Sequence, residues 1–112
     1  MPLLLFFSTP GCPYCLEVRR SYLAPRIRSG QPGALVREVD ITSPRKLIAL
    51  DGKPISEAEL AARFNVRAVP VVLLVDAELR PQGEPLVGID RSGFYESYLA
   101  AAIESATQRL RR

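Results

Sequence analysis

The sequence predicts one α/β domain over residues 1–112, a four-stranded mixed sheet with helices on both faces. Three observations carry this expectation. An apolar run at residues 3–8 passes through Pro10-Gly11 into a helical pattern and then a β-branched segment, an order that implies a right-handed parallel strand pair. The run from Val69 to Asp76 is almost continuously apolar, as in a strand buried on both faces, and a short polar link makes it half of an antiparallel hairpin. From Ser92 an apolar stripe recurs at helical spacing to near the end of the chain.

The elements follow in order. Leu3 to Ser8 is too short for a secretory leader and reads as a buried strand. Cys15, Val18 and Tyr22 recur at three- and four-residue steps, flanked by Leu16 and Leu23, so a helix follows, and Pro25 is expected to close it. Leu35 to Ile41 is short, alternating and β-branched, a second strand. Two short helices are then expected. Ser43-Pro44 offers a cap and a first-turn proline, with Leu47, Ile48 and Leu50 as the apolar face and Gly52 as the stop. Ser56-Glu57-Ala58-Glu59 has the pattern of a capping box, with Leu60, Ala61 and Phe64 following at helical spacing. Pro85 to Gly88 completes the hairpin, and Tyr95, Leu99, Ala102, Ile103, Ala106 and Leu110 form the stripe of the final helix.

Composition narrows the chemistry. With 47% hydrophobic and 24% charged residues the chain is ordinary globular protein. No apolar stretch approaches the roughly 20 residues that span a bilayer. The net charge of +3 is split. Arg19, Arg20, Arg26 and Arg28 outweigh Glu17 near the start, Arg109, Arg111 and Arg112 close the chain, and residues 37–108 are net acidic. Nucleic-acid binding needs one broad basic face, so no nucleic-acid partner is expected. The chain has no histidine, which excludes Ser-His-Asp and Cys-His catalysis and histidine-held zinc or haem. Two cysteines are too few for a four-ligand zinc or iron–sulfur site, so no metal and no separate cofactor are expected.

The feature that carries chemistry is Cys12-Pro13-Tyr14-Cys15, placed where the first strand turns into the first helix. A helix start presents unpaired N–H groups and a partial positive charge, and both favour an anion. The Cys12 thiolate is therefore expected to form more readily than that of a free thiol, whose pKa is about 8.5. Cys15 lies one turn inward, near enough to close a disulfide and sheltered enough to wait for a mixed disulfide. Pro13 stiffens the first turn. As a structural staple the pair would achieve little, since a loop of about four residues gives roughly 2 kcal/mol by the chain-entropy formula. Redox exchange is the stronger reading.

Val69-Pro70 opens the most apolar strand, where a proline is confined to edges, starts or bulges. Composition alone favours a trans bond.

Together, Cys12 to Cys15, Phe64 to Pro70, the hairpin, Gly88 and the terminal helix make the chain resemble the thioredoxin superfamily over nearly its whole length. The resemblance implies a thioredoxin-like fold, Cys12 as attacking thiol and Cys15 as resolving thiol. It also implies a cis Val69–Pro70 bond beside the disulfide, with Val69 offering backbone hydrogen bonds to an extended substrate. Pro13, Tyr14, Val69 and Pro70 are thus the expected substrate contacts. The likeness is greatest to exported bacterial thioredoxin-like proteins, including those associated with periplasmic sulfur oxidation, which share C-P-Y-C, the two-helix insertion, the Val69-Pro70 strand and the Gly93-Phe94-Tyr95-Glu96-Ser97-Tyr98-Leu99 helix pattern. It implies a periplasmic location, with the cytoplasm as the alternative. Where thioredoxin has a buried aspartate the chain has apolar Leu3 to Phe7, so Cys15 would exchange its proton with water or a neighbour such as Glu17. The expected function is thiol–disulfide exchange with protein substrates and a redox partner protein, by a monomer. Two alternatives stand: glutaredoxin-like reduction of glutathione adducts, although only one glycine follows the hairpin, and a peptide-binding module on the same scaffold.

Overall fold

The computed structural model describes residues 1–48, 52–90 and 92–111. Strand β1 (Leu3–Ser8) lies inside a four-stranded sheet of order β2-β1-β5-β6. It runs parallel to β2 (Leu35–Asp40) and antiparallel to β5 (Val71–Val75), which pairs with β6 (Leu86–Val87) at the edge. The mixed sheet is as the sequence predicts, and its strict alternation builds two cores. Leu4, Phe6, Val72 and Leu74 face one side with Cys15, Val18, Leu23, Leu99 and Ile103. Leu5, Phe7, Val71, Leu73 and Val75 face the other with Leu60 and Ala61.

The first helical stretch outlasts its proline. Helix α1 (Pro13–Val18) passes through one π turn (Arg19–Leu23) into α2 (Ala24–Arg28), so Pro25 does not close it. In a regular helix the ring of Pro25 would collide with the carbonyl four residues back, and Pro25 has no N–H to give. The π turn, in which the Ala24 N–H reaches the Arg19 carbonyl, widens the backbone just before that ring. The helix then ends at Ser29 and Gly30, the latter at φ +77°.

The inserted segment corrects the expectation of two helices. Residues expected on the first of them form a hairpin instead, β3 (Lys46–Ile48) against β4 (Pro54–Ser56), with Leu47 opposite Ile55. Leu50 lies outside the described residues. The cause is the chain's attachment to the next helix. Backbone bonds from Glu57 N–H to the Arg45 carbonyl and from Ala58 N–H to the Ser43 carbonyl hold residues 43–45 extended. The Ser43 hydroxyl accepts the Arg45 N–H rather than starting a helix. Leu47 is half-buried and Ile48 is 74% exposed, the alternation of a strand.

The second inserted helix is present. Helix α3 (Glu57–Arg63) opens on a complete capping box, with Ser56 Oγ accepting the Glu59 N–H at 3.0 Å and Glu59 Oε1 accepting the Ser56 N–H at 3.1 Å. It ends on Asn65 at φ +59°, where the Asn65 and Val66 N–H groups bond the Ala62 and Ala61 carbonyls. That pairing satisfies the last carbonyls and aims the chain toward Pro70. Helix α4 (Tyr95–Leu110) buries Tyr95, Leu99, Ile103 and Ala106. Ala102 is half-buried, and Leu110, expected on the stripe, is exposed. A helix of this length spans about 24 Å, and Leu110 stands on its last turn.

Two polar clusters tie this frame together. Asp76 is buried at the end of β5 and accepts the N–H groups of Glu78 and Arg80, the Arg80 guanidinium and the Gln82 amide. Glu38 on β2 accepts the Ser8 hydroxyl at 2.7 Å and pairs with Arg19, whose guanidinium lies over the Phe6 ring. Hydrogen bonds hold both carboxyls below the ordinary carboxylate range, chiefly from the Arg80 backbone for Asp76 and from the Arg19 side chain for Glu38.

Phe7 is fully buried between the sheet and α3. Phe7→Ala should therefore cost about 3–5 kcal/mol in urea unfolding at pH 7. A carboxyl whose folded pKa is depressed stabilises above its unfolded value, about 4, and loses that contribution as pH falls through the folded value. The urea midpoint is accordingly expected to drop steadily below about pH 4.5. The gap between wild type and Asp76→Asn should narrow over the same range, and a constant gap would refute this assignment.

Candidate active site

The turn leaving β1 is made by Thr9, Pro10 and Gly11, with Gly11 at φ +75°, a conformation that side chains with a Cβ resist. Cys12 follows in extended geometry (φ −96°, ψ 107°) and caps α1. Its sulfur accepts the Cys15 N–H at 3.1 Å, and its carbonyl accepts the Leu16 N–H at 3.1 Å. Pro13 takes the first helical position, where its missing N–H would have had no partner within the helix.

Cys12 and Cys15 are joined by a disulfide, with Cα atoms 5.2 Å apart. The two sulfurs are not equivalent. Cys12 is half-buried at the helix start, whereas Cys15 is 1% exposed among Leu4, Phe6, Val18 and Leu99. An incoming thiolate can therefore approach the outer cysteine and not the inner one. The Cys15 N–H and the helix start face the Cys12 sulfur, an arrangement that favours negative charge there.

The other expected residues fall on both sides of this pair. Pro13 and Tyr14 are exposed on the first turn. Val69 is half-buried and packs against both cores, the only described residue outside the sheet's own strands to join them in this way. The Val69–Pro70 bond is cis, and Pro70 is fully buried. Because Phe7 pairs with Val71, Pro70 lies at the same end of the sheet as Ser8 and the turn to Cys12.

One contributor was not among the expected contact residues. The Gly88 N–H donates to the Pro70 carbonyl at 2.8 Å, which pins the loop after β6 beside that proline, and Ile89 packs on the same core as Cys12 and Cys15. The signal was a glycine closing the hairpin; its φ of +75° is what the turn uses. Glu17, the suggested proton partner for Cys15, is exposed while Cys15 is buried. Among the described residues the buried carboxylates are elsewhere. Glu57 accepts the Asp40 N–H and pairs with Arg45, and Asp76 occupies the far end of β5. Tyr95 shares the core with Cys15 and packs its ring, tilted by 51°, against Tyr22 at 4.7 Å between centroids, and burial pushes its phenol up to about 12. It is core, as its helical spacing suggests.

The comparisons with known proteins agree with this architecture. The profile of the thioredoxin-like domain family matches residues 1–91. No curated protein sequence gives a match. Among solved structures, the chain is similar to the reduced periplasmic thioredoxin SoxS from Paracoccus pantotrophus, at 24% identity and TM-score 0.62 over 95% of this chain and 99% of that one. It is also similar to a mutant thioredoxin from Halobacterium salinarum, at 26% identity and TM-score 0.60 over 95% and 74% of the two chains. A thioredoxin-fold protein from Helicobacter pylori follows at 21% and 0.57, covering 96% and 84%. With a disulfide across the turn from β1 to α1 and the family's profile over most of its length, the chain belongs to the thioredoxin-like domain family and is a thiol–disulfide oxidoreductase.

Proposed function

We propose that the protein exchanges the Cys12–Cys15 disulfide and dithiol with protein or small thiol partners. In the reducing direction the Cys12 thiolate attacks one sulfur of a substrate disulfide and expels the other as thiolate, giving a mixed disulfide. Cys15 then loses its proton to solvent and attacks Cys12 Sγ. The second substrate thiolate leaves, and the protein ends oxidised. A dithiol partner returns it to the dithiol by the same steps reversed, so the direction follows from the two reduction potentials. The observation that carries the roles of the two cysteines is the N–H of Cys15 on an accessible Cys12 sulfur, with its partner sulfur buried behind it.

Pro13 and Tyr14 are assigned to the substrate surface as the exposed residues between the two cysteines, and Val69 with the buried Pro70 as the segment at the same end of the sheet. The protein is taken to work as a single-domain monomer, passing electrons between protein substrates and a redox partner protein. A periplasmic location is supported by the likeness to a periplasmic thioredoxin. None of the helices is long and apolar enough to cross a membrane among the described residues.

Reduction of insulin by dithiothreitol tests the reading. Wild type should accelerate it, and Cys12→Ser should fall to the uncatalysed rate. Pre-reduced Cys15→Ala, mixed with insulin in the absence of dithiothreitol, should accumulate a mixed disulfide that added thiol then releases. Equal rates for wild type and Cys12→Ser would remove the proposal.

A further inference from the structure

Strand β6 ends the sheet with its outer edge unpaired among the described residues. Its geometry can be read from one bond. Gly88 lies opposite Pro70 in register and donates its N–H to the Pro70 carbonyl, so that pair occupies a hydrogen-bonding position. In an antiparallel ladder such positions alternate. Val87, opposite Val71, therefore points its own N–H and C=O away from β5, toward the open edge. Its side chain is 70% exposed.

Each face of this edge carries a cavity. On the α3 side a space of about 490 Å³ is lined by Phe64, Val66, Arg67, Val71 and Val87. On the α4 side a space of about 270 Å³ is lined by Leu86, Ile89, Tyr95 and Tyr98. An added strand sends alternate side chains to opposite faces, and this edge offers a recess on both, mainly apolar on the α3 side and mixed, with Asp90 in its lining, on the α4 side. The edge is also continuous with the active site, because Gly88 and Ile89 connect Val87 to Pro70 and to the core that holds Cys15.

We infer that β6 accepts, by strand addition, an extended apolar segment of the disulfide-bearing partner protein, bonded through the N–H and C=O of Val87. This rests on the oxidoreductase reading above and adds where its protein substrates are recognised. The added strand would lie three strand spacings from β1, about 14 Å, which about four or five extended residues cover. The recognised segment thus lies at least that far along the partner from the cysteine attacked by Cys12. A small disulfide does not reach it.

The test compares insulin with bis(2-hydroxyethyl) disulfide as substrates of the full chain. Val87→Pro deletes the outward N–H at a place where an edge strand tolerates proline. Val87→Lys keeps the N–H and places a charge on the edge, which opposes strand addition. For both variants the ratio of kcat/KM for insulin to kcat/KM for the small disulfide should fall about three- to tenfold, with the loss appearing as a higher KM for insulin. An unchanged ratio in both overturns the inference. A fall with Val87→Lys alone, in a folded Val87→Pro protein, overturns strand addition in favour of side-chain contact. Should Val87→Pro fail to fold, Val87→Ala takes its place: it keeps the outward N–H and C=O, so an unchanged ratio beside the fall in Val87→Lys supports strand addition and an equal fall overturns it. If wild type reduces only the small disulfide the inference fails while the oxidoreductase reading stands, and if it reduces neither, that reading itself fails.

Discussion

Everything at the active site depends on β1 being held from both sides. It pairs with β2 along its whole length and with β5 along most of it, and its side chains alternate between two apolar cores. A strand fixed in this way delivers the chain to Gly11 and Cys12 at one place and in one direction. The helix start then presents its N–H groups to the Cys12 sulfur. Were β1 an edge strand, the disulfide would sit on a frayed turn, and the distinction between an outer, reachable sulfur and an inner, buried one would be lost.

That distinction is the working asymmetry of the molecule. Cys15 is shielded by the same side chains that stabilise the fold, so the inner sulfur of the disulfide is also part of the core. Val69 has a comparable double role. It packs against both cores and stands just before the buried Pro70, linking the segment after α3 to the interior of the sheet. Glu38 is committed to Ser8 and Arg19, a bond set that locks the first helix to β2 rather than one free to move protons.

The loops add a second layer of control. The αL ending of α3 at Asn65 and the turn held by Asp76 bracket β5 at its two ends, one leading into Pro70 and the other out of Val75. Gly88 closes the opposite side by bonding Pro70 from the hairpin. Pro70 is therefore positioned by two separate pieces of chain, the ending of α3 and the hairpin at Gly88, neither of which contains a cysteine.

Local chemistry in the sequence determined much of this by itself. The β1 run, the alternating buried positions of β5, the capping box at Ser56 and the placement of Cys12 at a helix start depend on neighbours a few residues apart, and each is as the residues imply. Tertiary structure decided what local patterns leave open. Leu47 and Ile48 fit a helix or a strand equally well, and only the backbone bonds from α3 to residues 43–45 make them a hairpin. Pro25 reads as a stop because its cost in a regular helix is local, but the packing of Leu23 on the core keeps the helix going through a π turn. The nearness of Gly88 to Pro70, and the outward N–H of Val87 that follows from it, arise from strand register. Register is a relation between distant segments, and no window of sequence contains it.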